Sequence, residues 1–572
     1  MRMKKLLRHG MAFLGALFLA LAVACSGSQS SSFTLSIVHF NDTHSHLEPV
    51  AVNLTVDGVK TTAQFGGFAR IKTALDGMRM VHPDLLLLHG GDAVQGTLYF
   101  ALFNGIVEYD FLNILGIDAM TFGNHEFDRG AGTIAGWIGR SRFPWLSANI
   151  DFSGEPAIAP LVKPCLIREV NGEKVAIIGV TTEDTPLMTK DVGKAVFNDA
   201  VVGVRRQVEA LTALGINKII VLSHLGYQRD KALAAQVSGI DVIVGGHSHS
   251  LLGDAGRLAV IGLAPEGPYP SEQMTPDGSR ALVLQAWQWG HVLGEVHVRF
   301  TPEGKVAGYS AGITIPTGDQ FVQNNAPVSP DTEAYRRILQ ALEAGGAARI
   351  IPEDPKVLDQ LAPYAQQVAA YHSVAVATAT NDIVRGLNSG PGPLSADAML
   401  AAVPGARVAL LNNGGVRKDL LAGTISVGDV LEVMPYNNTL VLVDLMGAEL
   451  KTALEEGIDY LLQKYPGQDP PTMPYLAGAS FSVRPTAPKG TRVSTLAIKD
   501  HNGVYQPVIF WAVYRTVVNA FVAGGGDGFD MVKNAEGFRS DTGTIDSDAF
   551  LNYLKGIGSV SNPTEQRIKI LP

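Results

Sequence analysis

The chain has 572 residues, 46% of them hydrophobic and 17% charged, a composition that suits a folded globular protein long enough for two or more domains. Its formal charge is −9, and lysine and arginine are scattered rather than clustered. No basic stripe is available to neutralise a phosphodiester backbone, so nucleic acid polymers are not expected as partners.

The first element in the chain is a targeting segment. Arg2, Lys4, Lys5 and Arg8 precede the apolar run Met11 to Ala24, which at about fourteen residues is short for a membrane span and ends at Cys25. "AVAC", residues 22–25, resembles the bacterial lipobox, in which the cysteine is lipidated and becomes the first mature residue; the alternative is an ordinary secretory signal with an incidental cysteine. The expectation is a signal segment over 1–24 and a flexible tether over 25–32, Cys25 followed by "SGSQSSS". A lipid on Cys25 would hold the protein to a membrane as a periplasmic or outer-surface lipoprotein. Cys165 is then the one remaining cysteine, and "VKPCLIREV" reads as a half-buried packing residue without a catalytic role.

Five apolar strands follow, each ending in polar residues: "FTLSIVHFNDTHSH" (33–46), "DLLLLHGGD" (84–92), "DAMTFGNHEFD" (118–128), "KIIVLSHLG" (218–226) and "DVIVGGHSHS" (241–250). Short Leu, Ile and Val runs of this kind suit strands buried on both faces. Helical stretches such as Phe68 to Met80 and Val201 to Leu214 lie between them, so the reading is a layered α/β domain with its ligands at the strand ends. There the sequence supplies Asp42, His44, Asp92, Asn124, His125, Asp128, His224, His247 and His249. Carboxylate, imidazole and amide without thiolate suit Mn²⁺, Zn²⁺, Co²⁺, Fe²⁺ or Mg²⁺. The set is large enough for two divalent ions sharing one aspartate, and Asp92, after Gly90 and Gly91, is the natural bridge. Glu126 is given no role.

In the second half, a helical run from Asp331 to Ala344 and another over 354–372 precede a new set of strands beginning near Val374. Three polar segments follow: "LNNGGVRKD" (411–419), "MPYNNTL" (434–440) and "NAFVAGGGDGFD" (519–530). An arginine beside paired glycines can present its planar fork to phosphate oxygens, and two aromatic rings can sandwich a base. Taken alone, Tyr436 and Phe521 read as core packing.

Together these motifs resemble the calcineurin-like metallophosphoesterases, and within them the 5′-nucleotidases, including the periplasmic UDP-sugar hydrolases, over nearly the whole mature chain. The resemblance implies a layered catalytic domain over 33–352, with sheets flanked by helices. A linker helix over 353–372, about which the domains rotate, joins it to a second α/β substrate-binding domain over 373–572. It implies Asp42, His44, Asp92 and His249 as ligands of one metal, Asp92, Asn124, His224 and His247 as ligands of the other, and His125 with Asp128 as the catalytic dyad. It further implies Arg417 and Arg385 for phosphate, Asn412 near the nucleoside, Tyr436 and Phe521 stacking on the base, and Asp527 on the ribose. "SGPGPLSAD" (389–397) departs from the family pattern, and its two prolines are expected to stiffen a loop there. The implied substrate is a nucleoside 5′-monophosphate, with UDP-sugars or NAD as further substrates. A 2′,3′-cyclic phosphodiesterase, a thiosulfohydrolase on the same scaffold and a non-catalytic nucleoside-binding lipoprotein are the alternatives. No oligomeric state is implied.

Overall fold

The computed structural model describes residues 33–572 apart from 190, 325, 437 and 469. The expected signal segment, Cys25 and the expected tether lie outside the described residues.

In the first half, two sheets stack face to face. The larger is an 11-stranded sheet whose main path runs Val50–Val56, Val59–Phe65, Val306–Gln323, Leu293–Phe300, Thr34–Phe40, Leu86–His89, Ala119–Thr121, Trp145–Leu146 and Val162–Lys163. The second has six strands in the order Ser271–Met274, Arg280–Leu284, Val242–Val244, Ile219–His224, Glu173–Thr181 and Cys165–Val170. Alternation along each strand decides what goes where. Leu35 and Ile37 point into the space between the sheets, with Leu86, Leu88, Ile220, Leu222, Val242 and Val244. Val38 and Phe40, one residue out of phase, face Phe68, Ile71 and Leu75 of the helix Phe68–Val81. Helices Ala200–Ala213 and Tyr227–Gln236 cover the far side of the second sheet through Val204, Val208, Leu211 and Leu233. The layers are therefore helix, sheet, sheet, helix. Cys165 is half-buried against the outer core of the second sheet.

The central strands Thr34–Phe40, Leu86–His89 and Ala119–Thr121 are mutually parallel, as are Glu173–Thr181, Ile219–His224 and Val242–Val244. Their carboxyl ends gather the polar loops.

Helix Glu333–Gly345, capped by the Thr332 hydroxyl, stands where the run from Asp331 to Ala344 was expected, and helix Pro355–His372 follows it. The Asp354 side chain accepts from the Val357 N–H, and Pro355 occupies the first turn, where it lacks only a donor that would be unpaired anyway. Val357, Leu361 and Val368 are buried, and Tyr364 meets Phe103 edge-on at 5.1 Å between centroids. Beyond it lie a five-stranded sheet (Tyr475–Ala477, Val408–Leu411, Val513–Asn519, Thr439–Met446, Arg539–Ile545) and smaller sheets of three and four strands. The prolines of 389–397 stiffen no loop: Pro391 and Pro393 open the helix Pro391–Ala402, with Pro391 at its start. Fixed φ suits a helix N-terminus as well as it suits a loop, so the two are hard to tell apart from sequence. Among the described residues, no helix is long and apolar enough to cross a membrane.

Candidate active site

The five strand-end loops converge, and they do so in strained backbone. Asp42, His44, Asp92, His247 and His249 all have positive φ, from 46° to 74°. Non-glycine residues seldom adopt this region, and where several do so together the surrounding structure holds them for a purpose. Gly91 (φ 89°) makes the closest approach possible: a Cβ there would lie 2.7 Å from the Gly123 nitrogen and from His224 Nδ1. The Asp42 N–H donates to Gly91 O and the His44 N–H to Asp92 O, both at 3.0 Å, which locks the first two loops together.

The side chains form two adjoining groups whose donor atoms lie within 4.8 Å of one another: Asp42, His44 and His249 in one, Asp92, His224 and His247 in the other. Asp92 Oδ2 lies between them, 2.9 Å from His224 Nε2 and 3.8 Å from His44 Nε2. Asn124 Oδ1 is 3.0 Å from His247 Nδ1 and 3.2 Å from His224 Nε2. His44 donates from Nδ1 to Gln95 O at 3.1 Å, and His224 from Nδ1 to Gly90 O at 2.7 Å. Each backbone carbonyl thereby fixes the tautomer and turns Nε2 inward, the arrangement usual for metal-binding imidazoles. Burial pushes His44 and His247 down to about 3, so both present neutral rings. Burial opposes ionisation of Asp92, but His224, His125 and His44 around it hold the carboxyl well below the ordinary range. Burial favours the neutral ring at His224 and His249 as well, but Asp92 raises the first to about 9 and Asp42 raises the second, so without a cation these two rings hold protons that a divalent ion would displace. The donor set of imidazole, ionised carboxylate and amide fits such an ion.

His125 stands at the edge of this cluster, its Nε2 4.0 Å from Asp92 Oδ2. Its Nδ1–H donates to Asp128 Oδ2 at 2.7 Å. Burial favours the neutral ring, yet Asp128 and Asp92 outweigh it and raise His125 to about 10. The short helical turn His125–Phe127 explains why residues three apart meet.

Glu126, which the sequence left without a role, is fully buried beneath the site. It accepts from the Asp92 N–H at 3.0 Å, the Ala93 N–H at 2.9 Å, the Gly123 N–H at 2.6 Å and the Tyr109 hydroxyl at 3.2 Å. One carboxylate thus ties the Gly-Gly-Asp loop to the Gly-Asn-His loop. Asn41 is a second residue missed: it donates to Asp42 Oδ2 at 2.6 Å and to Trp287 O at 2.7 Å. The polar type at strand ends was visible for both, but their backbone partners were not.

In the second half, Asn412 donates to Asp527 Oδ2 at 2.7 Å and accepts from Asn519 at 3.0 Å, so two of the expected nucleoside contacts sit side by side. Lys464 Nζ is 3.9 Å from Asp527 Oδ1 and lines a cavity of about 600 Å³ with Asn413 and Tyr465. Tyr436 and Phe521 are each 47% exposed and so are not core residues. The Phe521 ring lies over Gly526, where a Cβ would overlap it. Arg417 is exposed, with Nη1 3.5 Å from Gly414 O, and Arg385 is paired with Asp419 at 2.9 Å. The part of the second half that reaches the histidine cluster is the strand Arg539–Ile545: Gly543 sits so close to the His125 ring that any Cβ would overlap it.

The layered sheets and the histidine and aspartate groups at their strand ends define a metallophosphoesterase. A family model for calcineurin-like phosphoesterases matches residues 35–251, and one for the 5′-nucleotidase C-terminal domain matches residues 372–534. A probable 5′-nucleotidase of Treponema pallidum is 32% identical over 97% of both chains, and the NAD 5′-nucleotidase of Haemophilus influenzae is 30% identical over 96% of this chain and 95% of that one. Among solved structures, the Haemophilus influenzae NAD nucleotidase matches with a TM-score of 0.80 and 28% identity, covering 94% of this chain and 99% of that chain. The 5′-nucleotidase precursor of Thermus thermophilus matches with a TM-score of 0.59 and 38% identity over the same shares. The chain belongs to the 5′-nucleotidase family of metal-dependent phosphoesterases, and its activity is nucleotide hydrolysis.

Proposed function

We propose that the chain is a lipid-anchored 5′-nucleotidase of the cell envelope that uses two divalent metal ions to release phosphate from nucleoside 5′-monophosphates, and that it also cleaves the pyrophosphate bond of NAD or UDP-sugars. Asp42, His44, Asp92 and His249 would hold one ion, and Asp92, Asn124, His224 and His247 the other. When bound, such ions supply positive charge opposite the phosphoryl oxygens and acidify the attacking water. His125, aimed by Asp128, donates a proton or a hydrogen bond to a phosphoryl or leaving oxygen. Arg417 and Arg385 receive the phosphate, Tyr436 and Phe521 the base, and the Asn412–Asp527 pair the ribose hydroxyls. The domain rotation that the resemblance implies would lift Gly543 off His125 and carry the nucleotide site towards the metal ligands.

The observation that carries this reading is the exposed Phe521 ring lying over Gly526, next in sequence to the Asp527 that pairs with Asn412, with Tyr436 also exposed, because a phosphoesterase indifferent to the base needs none of this. Phe521→Ala should remove stacking worth about 1–3 kcal/mol and weaken use of AMP about tenfold or more. A small alkyl phosphate should be hydrolysed as before. Arg417→Ala should instead impair both substrates, since each offers the same phosphate. An unchanged AMP to alkyl-phosphate selectivity in a folded Phe521→Ala protein would sink the nucleotide reading.

The anchor has its own test. Cys25→Ser should move the protein from the membrane fraction to the soluble fraction while leaving activity intact, because the acyl chains would be lost and no described helix replaces them. Membrane association that survives both the change and a salt wash would point to an uncleaved N-terminal segment.

A further inference from the structure

Among the described residues, one group of metal-type donors lies away from the catalytic centre. His82, Glu295 and His297 place their donor atoms within 4.8 Å of one another. Glu295 and His297 are two apart on the strand Leu293–Phe300 and so share its helix-facing side, while Val296 and Val298 point between the sheets. His82 caps the carboxyl end of the helix Phe68–Val81, which packs over that side. His297 pairs in register with Ser36 on one neighbouring strand and with Ser310 on the other. Ser36 precedes Asp42 by six residues of mostly extended chain, which puts the group about 20 Å from the catalytic ligands, at the other end of the same strand.

We infer that His82, Glu295 and His297 form a further metal site, separate from the catalytic one, for a borderline divalent cation of the Zn²⁺ type. Three observations support it. First, Ser36 Oγ lies 2.9 Å from His297 Nδ1. With the Nδ1–H donating to that hydroxyl, the lone pair is left on Nε2, as in an imidazole oriented for a metal by its other nitrogen. Second, His297 Nε2 is 3.1 Å from Glu295 Oε1. Two atoms each about 2.0–2.1 Å from a tetrahedral zinc lie about 3.3 Å apart, so this spacing suits a shared cation. In that tautomer, a lone pair facing a carboxylate is repulsive unless a cation lies between them. Third, the His82 ring approaches His297 with a centroid distance of 4.2 Å and an interplanar angle of 44°, bringing a third donor from a different element.

The surroundings favour a cation as well. The last carbonyls of the helix Phe68–Val81 point their negative ends towards its capping residue, His82. A cavity of about 510 Å³, lined among others by Ser36, His82, Asp84, Asn171 and His297, leaves room for water to complete the coordination. Two imidazoles and one carboxylate select zinc, cobalt, nickel or copper over magnesium or calcium. Bound there, the ion pins the end of a covering helix to the large sheet and acts as a clamp, not a catalyst.

The test counts metal on the full-length protein. Metal-stripped wild-type and His82→Gln proteins are equilibrated with Zn²⁺, freed of excess metal and analysed by plasma mass spectrometry and thermal melting. Wild type should retain one more Zn²⁺ per chain than His82→Gln, and Zn²⁺ should raise the melting midpoint of wild type more than that of the variant. The difference, not the total, is the readout, so the result does not depend on how many ions the catalytic cluster holds. Hydrolysis of AMP should be equal in the two proteins, because His82 touches none of the strand-end ligands. His297→Gln serves as an independent second variant with the same expected loss. Equal zinc content in wild type and both variants would overturn the site, leaving an ordinary Glu295–His297 ion pair with a stacked His82.

Discussion

Asp92→Asn should yield a folded protein that fails to keep its metal and turns over nucleotides about 10³-fold more slowly, or worse. Asp92 is buried, and its Oδ2 faces the imidazoles of His224, His44 and His125. Asparagine can preserve the contact in which Oδ1 accepts from the His125 N–H at 2.9 Å, so the loop should survive. What the change removes is the negative charge and the oxygen that both donor groups share, replaced by an amide that turns hydrogens towards them. Loss of a shared anionic ligand removes several kcal/mol of charge stabilisation, and each 1.36 kcal/mol is about tenfold in rate. Metal analysis after dialysis should show reduced occupancy alongside a melting curve that stays cooperative. Full occupancy with normal turnover would take Asp92 out of the bridging position.

His125→Ala should separate chemistry from metal binding. Turnover is expected to fall by about 10²–10⁴, the range for a positioned acid or hydrogen-bond donor, with metal content and KM little changed. His125 reaches the cluster only at its edge, 4.0 Å from Asp92, and its other nitrogen is spent on Asp128. A ring nitrogen of His125 also lies within 4.8 Å of the His44 and Asp92 donor atoms, but on the ligand assignment proposed above removing the ring deletes a donor without deleting a ligand. It also opens space beneath Gly543, where the second half now rests on the imidazole. If the variant lost its metals along with its activity, His125 would have to be counted among the ligands and the role of Asn124 reassigned.

The site was more legible than the frame that holds it. Asp42, Asp92, Asn124, His224 and His247 stand out because each follows a short apolar run that suits a buried strand, and polar residues in that place need a reason. Their backbone conformations were not legible: glycine announces positive φ, but Asp42, His44 and His249 adopt it with ordinary side chains. Glu126 was missed for a related reason. Three of its four donors are backbone N–H groups, those of Asp92 and Ala93 more than thirty residues away, and backbone donors leave no mark in a sequence. The helix over Pro355–His372 could be read despite Pro363 within it, because the apolar spacing of Val357, Leu361 and Val368 outweighs one interrupted bond. The long strand Val306–Gln323 could not: Gly308, Gly312, Pro316 and Gly318 break every local strand signal, and its pairing with the strands on either side overrides them. For the aromatic pair, residue type alone favoured the core, and only exposure separates a stacking ring from a packed one.

The measurement closest to the central claim is product release from purified protein, stripped of metal and then restored with Mn²⁺, Zn²⁺ or Co²⁺, on AMP, 2′,3′-cyclic AMP and an alkyl phosphate in parallel. The account predicts that adenosine and inorganic phosphate appear from AMP only after metal is restored, and faster than product from either of the other two. AMP hydrolysis that persists without metal, or a preference for the cyclic or base-free substrate, would contradict it.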